Sequence, residues 1–168
     1  MRISLFILLT LLLFANARAQ PPADSAVIKK SPLKTITDEE YTALLNGSDL
    51  YHMSLAAELN HYPSPEKALK YKKEIGLTKE QKAKLNPIVK ELHRKILEMG
   101  LIVVRNERTL DSIFKYNKVD NGSLIFYANR YGLYQGELRN VILQSCLVTK
   151  TILTPVQVKK IESLEKRN

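Results

Sequence analysis

Five side chains in this chain have the chemistry of transition-metal donors: His52, Met53, His61, His93 and Cys146. His52-Met53 is a donor pair suited to copper, and His61 lies in the proline-rich corner Asn60-His61-Tyr62-Pro63-Ser64-Pro65, whose conformation is restricted. A metal site joining those two segments is one reading; structural or solvated histidines are the other. His93 follows Leu92 and borders an apolar stripe. Cys146 flanks a second stripe, as a small buried hydrophobe, a thiol for an intermolecular disulfide, or a soft-metal ligand. A site needs three or four converging donors, so the expectation is no cofactor, with a transition metal as the exception.

Enzymatic chemistry has no comparable set of residues. The sequence contains no Ser/His/Asp grouping in a suggestive context, no phosphate loop, no His-Glu-x-x-His and no carboxylate pair on an apolar face. The acids Glu39, Glu40, Glu58, Glu66 and Glu74 stand at helix starts or beside lysines. The chain is expected not to be an enzyme.

Positive charge is the other conspicuous resource. The 168 residues carry 26 Lys and Arg against 17 Asp and Glu. A candidate face for partners combines Lys90, Arg94, Lys95, Arg105 and Arg108 with Leu101, Ile102 and Val104, apolar residues off the main stripe of their helix. Such a face attracts acidic or unfolded chains by salt-dependent steering and then grips them through apolar contact. The alternatives are an ordinary solvated helix face and, for the apolar members, packing beneath the short helices that precede it. No recognition motif or stacking platform supports nucleic-acid binding.

The elements that position these residues follow from helix-start signals and apolar periodicity. Met1-Arg2, the apolar run Ile3 to Phe14 and Ala17-Arg18-Ala19 read as a secretory signal over residues 1–19. The run is too short to span a bilayer, which takes about 20 residues. Its removal leaves a surplus of seven positive charges in an exported, soluble chain, and one cysteine allows no internal disulfide there. Residues 20–36, with three prolines and no apolar period, are expected to be a disordered leader. A single helical domain is expected over 37–168.

Thr37-Asp38-Glu39-Glu40 is a capping box opening a short helix that ends near Gly47. Ser54 to Leu59 reads as a second, and Ser64 with Pro65 starts a third that stops at Gly76. Thr78 and Gln81 form a capping box before a stripe at Leu85, Val89, Leu92, Ile96, Met99, Val103, Leu110 and Ile113, interrupted at Asn106. One helix over Lys79 to Lys115 would be about 55 Å long. Pro87 should bend it and Gly100 weaken it. After a turn at Tyr116 to Gly122, with Ser123 as a possible cap, a second stripe runs through Leu124, Tyr127, Tyr131, Tyr134, Leu138, Val141, Val148 and Ile152. Thr154, Pro155 and Gln157 open the last helix. The expected fold is all-α: a long antiparallel hairpin with short N-terminal helices and a C-terminal helix.

Leu77-Thr78-Lys79-Glu80-Gln81 and Leu153-Thr154-Pro155-Val156-Gln157, both Leu-Thr-x-x-Gln boxes in a small exported helical chain, resemble the periplasmic Spy/CpxP family. That family includes the ZraP and CnrX type metal-responsive proteins. Ala57-Glu-Leu-Asn-His-Tyr-Pro-Ser-Pro65 is similar to a Glu-Leu-Asn-Gly-Tyr-Pro-Gly-Pro stretch that precedes the first box in relatives. The resemblance implies a periplasmic envelope stress protein, either an ATP-independent chaperone acting as a dimer on unfolded proteins or a metal-binding sensor. Docking on a membrane sensor kinase is the regulatory variant. In metal-linked relatives a pair of histidines precedes the second box; here Ile142 and Cys146 stand in their place.

Overall fold

Helix starts in this chain are set by short polar side chains. In the computed structural model, which describes residues 27–49 and 51–166, Thr37, Ser64, Thr78, Asp120 and Thr154 each accept the amide hydrogen of the third helical residue. The helices that follow are α1 (Asp38–Asn46), α2 (Leu55–Glu58), α3 (Pro65–Lys70), α4 (Lys79–Lys115), α5 (Asn121–Ile152) and α6 (Pro155–Glu165). No strand occurs among the described residues. The all-α expectation is met, and α4 and α5 form the long hairpin, packed against each other. Its turn differs by one detail: Asp120, not Ser123, is the cap of α5. The Asp120 carboxylate accepts the Ser123 amide at 2.7 Å, and the Ser123 hydroxyl accepts the Asp120 amide at 3.0 Å.

Three apolar clusters hold the short helices to one end of the hairpin. Ala68, Tyr71, Ile75, Leu77, Leu85, Leu153, Val158 and Ile161 join α3, the start of α4 and α6. Leu92, Ile96, Leu138 and Ile142 form the middle of the hairpin, with Met53 against them. Leu33, Ile36, Leu44, Val103 and Val104 form the third. The expected disordered leader is therefore corrected for its last ten residues. The amide of Lys29 donates to Thr42 Oγ1 and that of Ser31 to Asp38 Oδ1, both at 2.7 Å, and Leu33 and Ile36 are buried. Two apolar side chains three residues apart are enough to anchor a proline-containing segment to an open apolar face. The signal segment expected at 1–19 lies outside the described residues.

Gly100 has a role opposite to the one its helix propensity implies. It is buried, and a Cβ there would stand 2.6 Å from the carbonyl oxygen of Leu44, so the glycine lets α1 lie directly on α4. Pro87 sits inside a helix that continues through it. On α5 the buried line is Leu138, Ile142, Ser145, Cys146 and Thr149, whereas Leu124, Tyr131 and Val148 of the expected stripe are exposed. The shift arises because this part of α5 touches α2 and α3 as well as α4, which rotates the buried face away from a two-helix seam. The buried hydroxyls on that line bond to their own helix, Ser145 to Ile142 O at 2.7 Å and Thr149 to Ser145 O at 2.8 Å. Among the described residues, no helix is long and apolar enough to cross a membrane.

Candidate functional site

The short helices cover only the near half of the hairpin. The N-terminal segment still borders the hairpin at Glu107, Leu110, Ala128 and Tyr131, and nearer the tip the apolar side chains of α4 and α5 include several in contact with solvent. Asn106 marks the boundary: it is buried in the seam, its Nδ2 donates to Tyr127 O at 3.1 Å, and its Oδ1 has no partner among the described residues. Past it, Phe114 and Tyr116 on one arm, Val119 in the turn, and Leu124, Ile125, Phe126 and Leu133 on the other are all exposed. Four consecutive apolar residues, Leu124-Ile125-Phe126-Tyr127, point in every direction around a helix, so pairing with α4 alone covers one of their faces at most.

Cations sit among these rings. The Arg130 guanidinium lies 5.0 Å from the Phe126 ring centroid and 5.3 Å from that of Tyr134, to whose hydroxyl it also donates. Lys115 Nζ lies 5.5 Å above Tyr116. Phe126 and Tyr127 meet edge to face at 5.1 Å. Residues 105–135 hold five basic side chains against three acidic ones. The distal arm is thus an apolar, aromatic surface with a modest positive excess, suited to apolar segments of another chain and to their acidic neighbours.

The face expected from sequence is only partly assembled. Lys90, Leu101, Arg105 and Arg108 are exposed and, at spacings of eleven, four and three, share one outer face of α4. Arg94 shares that face, but its guanidinium is held by Glu91 at 2.8 Å and Glu98 at 2.9 Å. Lys95 and Ile102 lie on another side, where Lys95 borders a groove between α4 and α5. Val104 is corrected outright: it is buried under Leu33, Ile36 and Leu44, the alternative covering by the N-terminal segment. The aromatic residues of the distal arm were not expected as a site, although the four-residue apolar run was a legible sign that one stripe cannot bury them.

Of the candidate metal donors, His52 and His93 border one cavity of about 390 Å³ with Asp49, Glu58 and Glu66, while Met53, His61 and Cys146 do not line it. His61 Nδ1 is 2.7 Å from Glu162 Oε1, and His93 Nε2 is 3.4 Å from Glu66 Oε1. His52 is exposed, and Met53 packs against the middle cluster. Cys146 is fully buried, and burial pushes its thiol up to about 11, against its use as a thiolate ligand or in an intermolecular disulfide. No three His, Cys, Asp or Glu side chains gather into a metal-holding group among the described residues.

The two boxes act at the opposite end of the hairpin. Thr78 and Thr154 cap as expected, while Gln81 and Gln157 do more. Each glutamine Oε1 accepts its cap's amide, and the two side chains also bond to each other across α4 and α6. Lys67 fastens the same end by reaching Glu58 at 2.9 Å and Glu165 at 2.8 Å. These contacts organise the base of the hairpin and leave its far end free. No protein-family model, no curated protein and no solved structure matches this chain.

Proposed function

We propose that this protein is an exported, ATP-independent binding protein of the Spy/CpxP kind, which holds unfolded envelope proteins and keeps them from aggregating. The observation that carries the reading is the exposed apolar and aromatic distal arm, with cations beside its rings, on a hairpin whose other end is closed by three apolar clusters. A rigid base fixes the arm, and the arm presents apolar area in two directions to a partner without further folding. The outer face of α4 at Lys90, Leu101, Arg105 and Arg108 extends the cationic part of that surface towards the base. A homodimer pairing two arms would cover one side and leave the other for clients. The resemblance of the two boxes and the proline-rich segment to that family, together with the signal-like residues 1–19, supports an activity in the periplasm or an equivalent exported compartment.

Light scattering of a reduced, aggregating client such as dithiothreitol-treated insulin tests the reading. The mature chain should suppress scattering at equimolar ratio without ATP, less well in high salt. A triple variant, Ile125→Ser, Phe126→Ser and Leu133→Ser, should lose most of that suppression with its melting temperature little changed, since all three side chains are exposed. Equal scattering with and without the protein overturns the proposal.

A further inference from the structure

A cavity of about 360 Å³ opens where the segment before α1, α1 itself, the chain after it, and the two long helices meet. Its apolar wall includes Ile36, Leu44 and Val103, all buried. Two carboxylates, Glu40 and Glu107, and two half-exposed tyrosines, Tyr51 and Tyr131, complete it. Glu40 is already engaged: Oε2 accepts the Thr37 amide at 2.9 Å and Oε1 accepts the Tyr51 hydroxyl, which fixes that ring at the mouth.

Glu107 is different. It is partly buried, and no Lys, Arg or His lies within ion-pair distance of it among the described residues. The same holds for Glu40. A chain with a large excess of cations has therefore left two carboxylates at one cavity without a counter-charge. Burial raises the Glu107 carboxyl above its ordinary range, against a hydrogen bond with Asn106, so its ionised form is under-solvated there.

A ligand that relieves this must carry a positive charge for the carboxylates and an apolar body for the wall, and it gains from π-faces at the mouth. We propose that the cavity binds a small amphipathic organic cation, a primary ammonium on an aromatic or short aliphatic body, with Glu107 as its counter-ion. This site borders the distal arm, with which it shares Glu107 and Tyr131, but it faces the N-terminal segment, excludes the exposed Ile125, Phe126 and Leu133, and does not depend on the client-binding reading.

The probe is 2-phenylethylammonium, with 2-phenylethanol as its uncharged counterpart. In titration calorimetry the ammonium should bind saturably and the alcohol at least about tenfold more weakly. Glu107→Gln should lower ammonium affinity by about tenfold or more, while Glu74→Gln, remote and exposed, should leave it unchanged. On the unaltered protein, methyl spectra should move at Ile36, Val103 and Leu110 and not at Leu124 or Leu133, which keeps the test decisive if Glu107→Gln folds poorly. Absence of saturable binding, equal affinity for the alcohol, unchanged affinity in a folded Glu107→Gln, or shifts confined to Leu124 and Leu133 each overturns the proposal.

Discussion

Gln81 and Gln157, 76 residues apart, form a reciprocal amide pair: Nε2 of Gln81 donates to Oε1 of Gln157 at 2.8 Å, and Nε2 of Gln157 returns to Oε1 of Gln81 at 3.0 Å. Each oxygen also accepts its own cap's amide, and each nitrogen also reaches a backbone carbonyl, Gln81 that of Ile152 at 3.0 Å and Gln157 that of Ile75 at 3.4 Å. Both amides thereby use all their capacity. Glutamate would serve either capping box equally well, but only glutamine has the second donor that ties the boxes together.

Gln157→Glu should therefore be much costlier than loss of a cap. It leaves the cap acceptor in place, removes two donors from a buried position and sets a charge against Gln81 Oε1. Urea unfolding should register a loss of about 2–3 kcal/mol, against about 1 kcal/mol for Thr78→Ala. Equal losses in the two variants would show that the amide pair contributes nothing beyond capping.

Glycines on the two long helices should respond in opposite directions. Gly100→Ala places a methyl 2.6 Å from Leu44 O and must push α1 off α4, at a cost of about 2 kcal/mol or more. Gly136→Ala, where a Cβ meets nothing within 4 Å, should stabilise by about 0.5–1 kcal/mol. Paired thermal melts of the two variants check the sign of each.

Acid should loosen the base of the hairpin through Glu165. Burial raises its pKa, but hydrogen bonds from Lys67 and Tyr71, the charge of Lys67, and a hydrogen bond from Lys70 outweigh it and hold the carboxyl at about 2. A carboxyl depressed on folding contributes stability above its unfolded value, ordinarily near 4.5, and that contribution disappears as pH falls towards 2. After solvent screening it amounts to about 1 kcal/mol. The pH dependence of urea midpoints between roughly pH 5 and pH 2 should be visibly shallower in Glu165→Gln than in the natural chain.

Cys146 should be inert in the folded protein. Its thiol is fully enclosed and held up at about 11, so neither the thiolate nor a path to it exists at neutral pH. A thiol-reactive dye should label it only in denaturant, and non-reducing gels should contain no disulfide-linked dimer. Rapid labelling under native conditions would contradict this packing.

Local signals determined the helices. Capping side chains, prolines at first turns and the four-three spacing of Leu85, Leu92, Ile96 and Val103 act within a few residues of one another, so their consequence is readable without knowing what packs where. The all-α hairpin follows from them. Tertiary structure decided what no local pattern encodes: that Leu33 and Ile36 lie over Val104 and remove it from the surface, that α1 rests on Gly100, and that Gln81 finds Gln157. It also decided which apolar residues stay uncovered. Leu124 fits a stripe as well as Leu138 does, but burial depends on how many layers surround a position, and Leu124 stays exposed near the tip of the hairpin while Leu138 is buried. For the same reason Glu107 looked like one more surface acid. Its place at a cavity, with no ion-pair partner among the described residues, is a property of the space enclosed by five separate segments, and such a space exists only once the chain has folded.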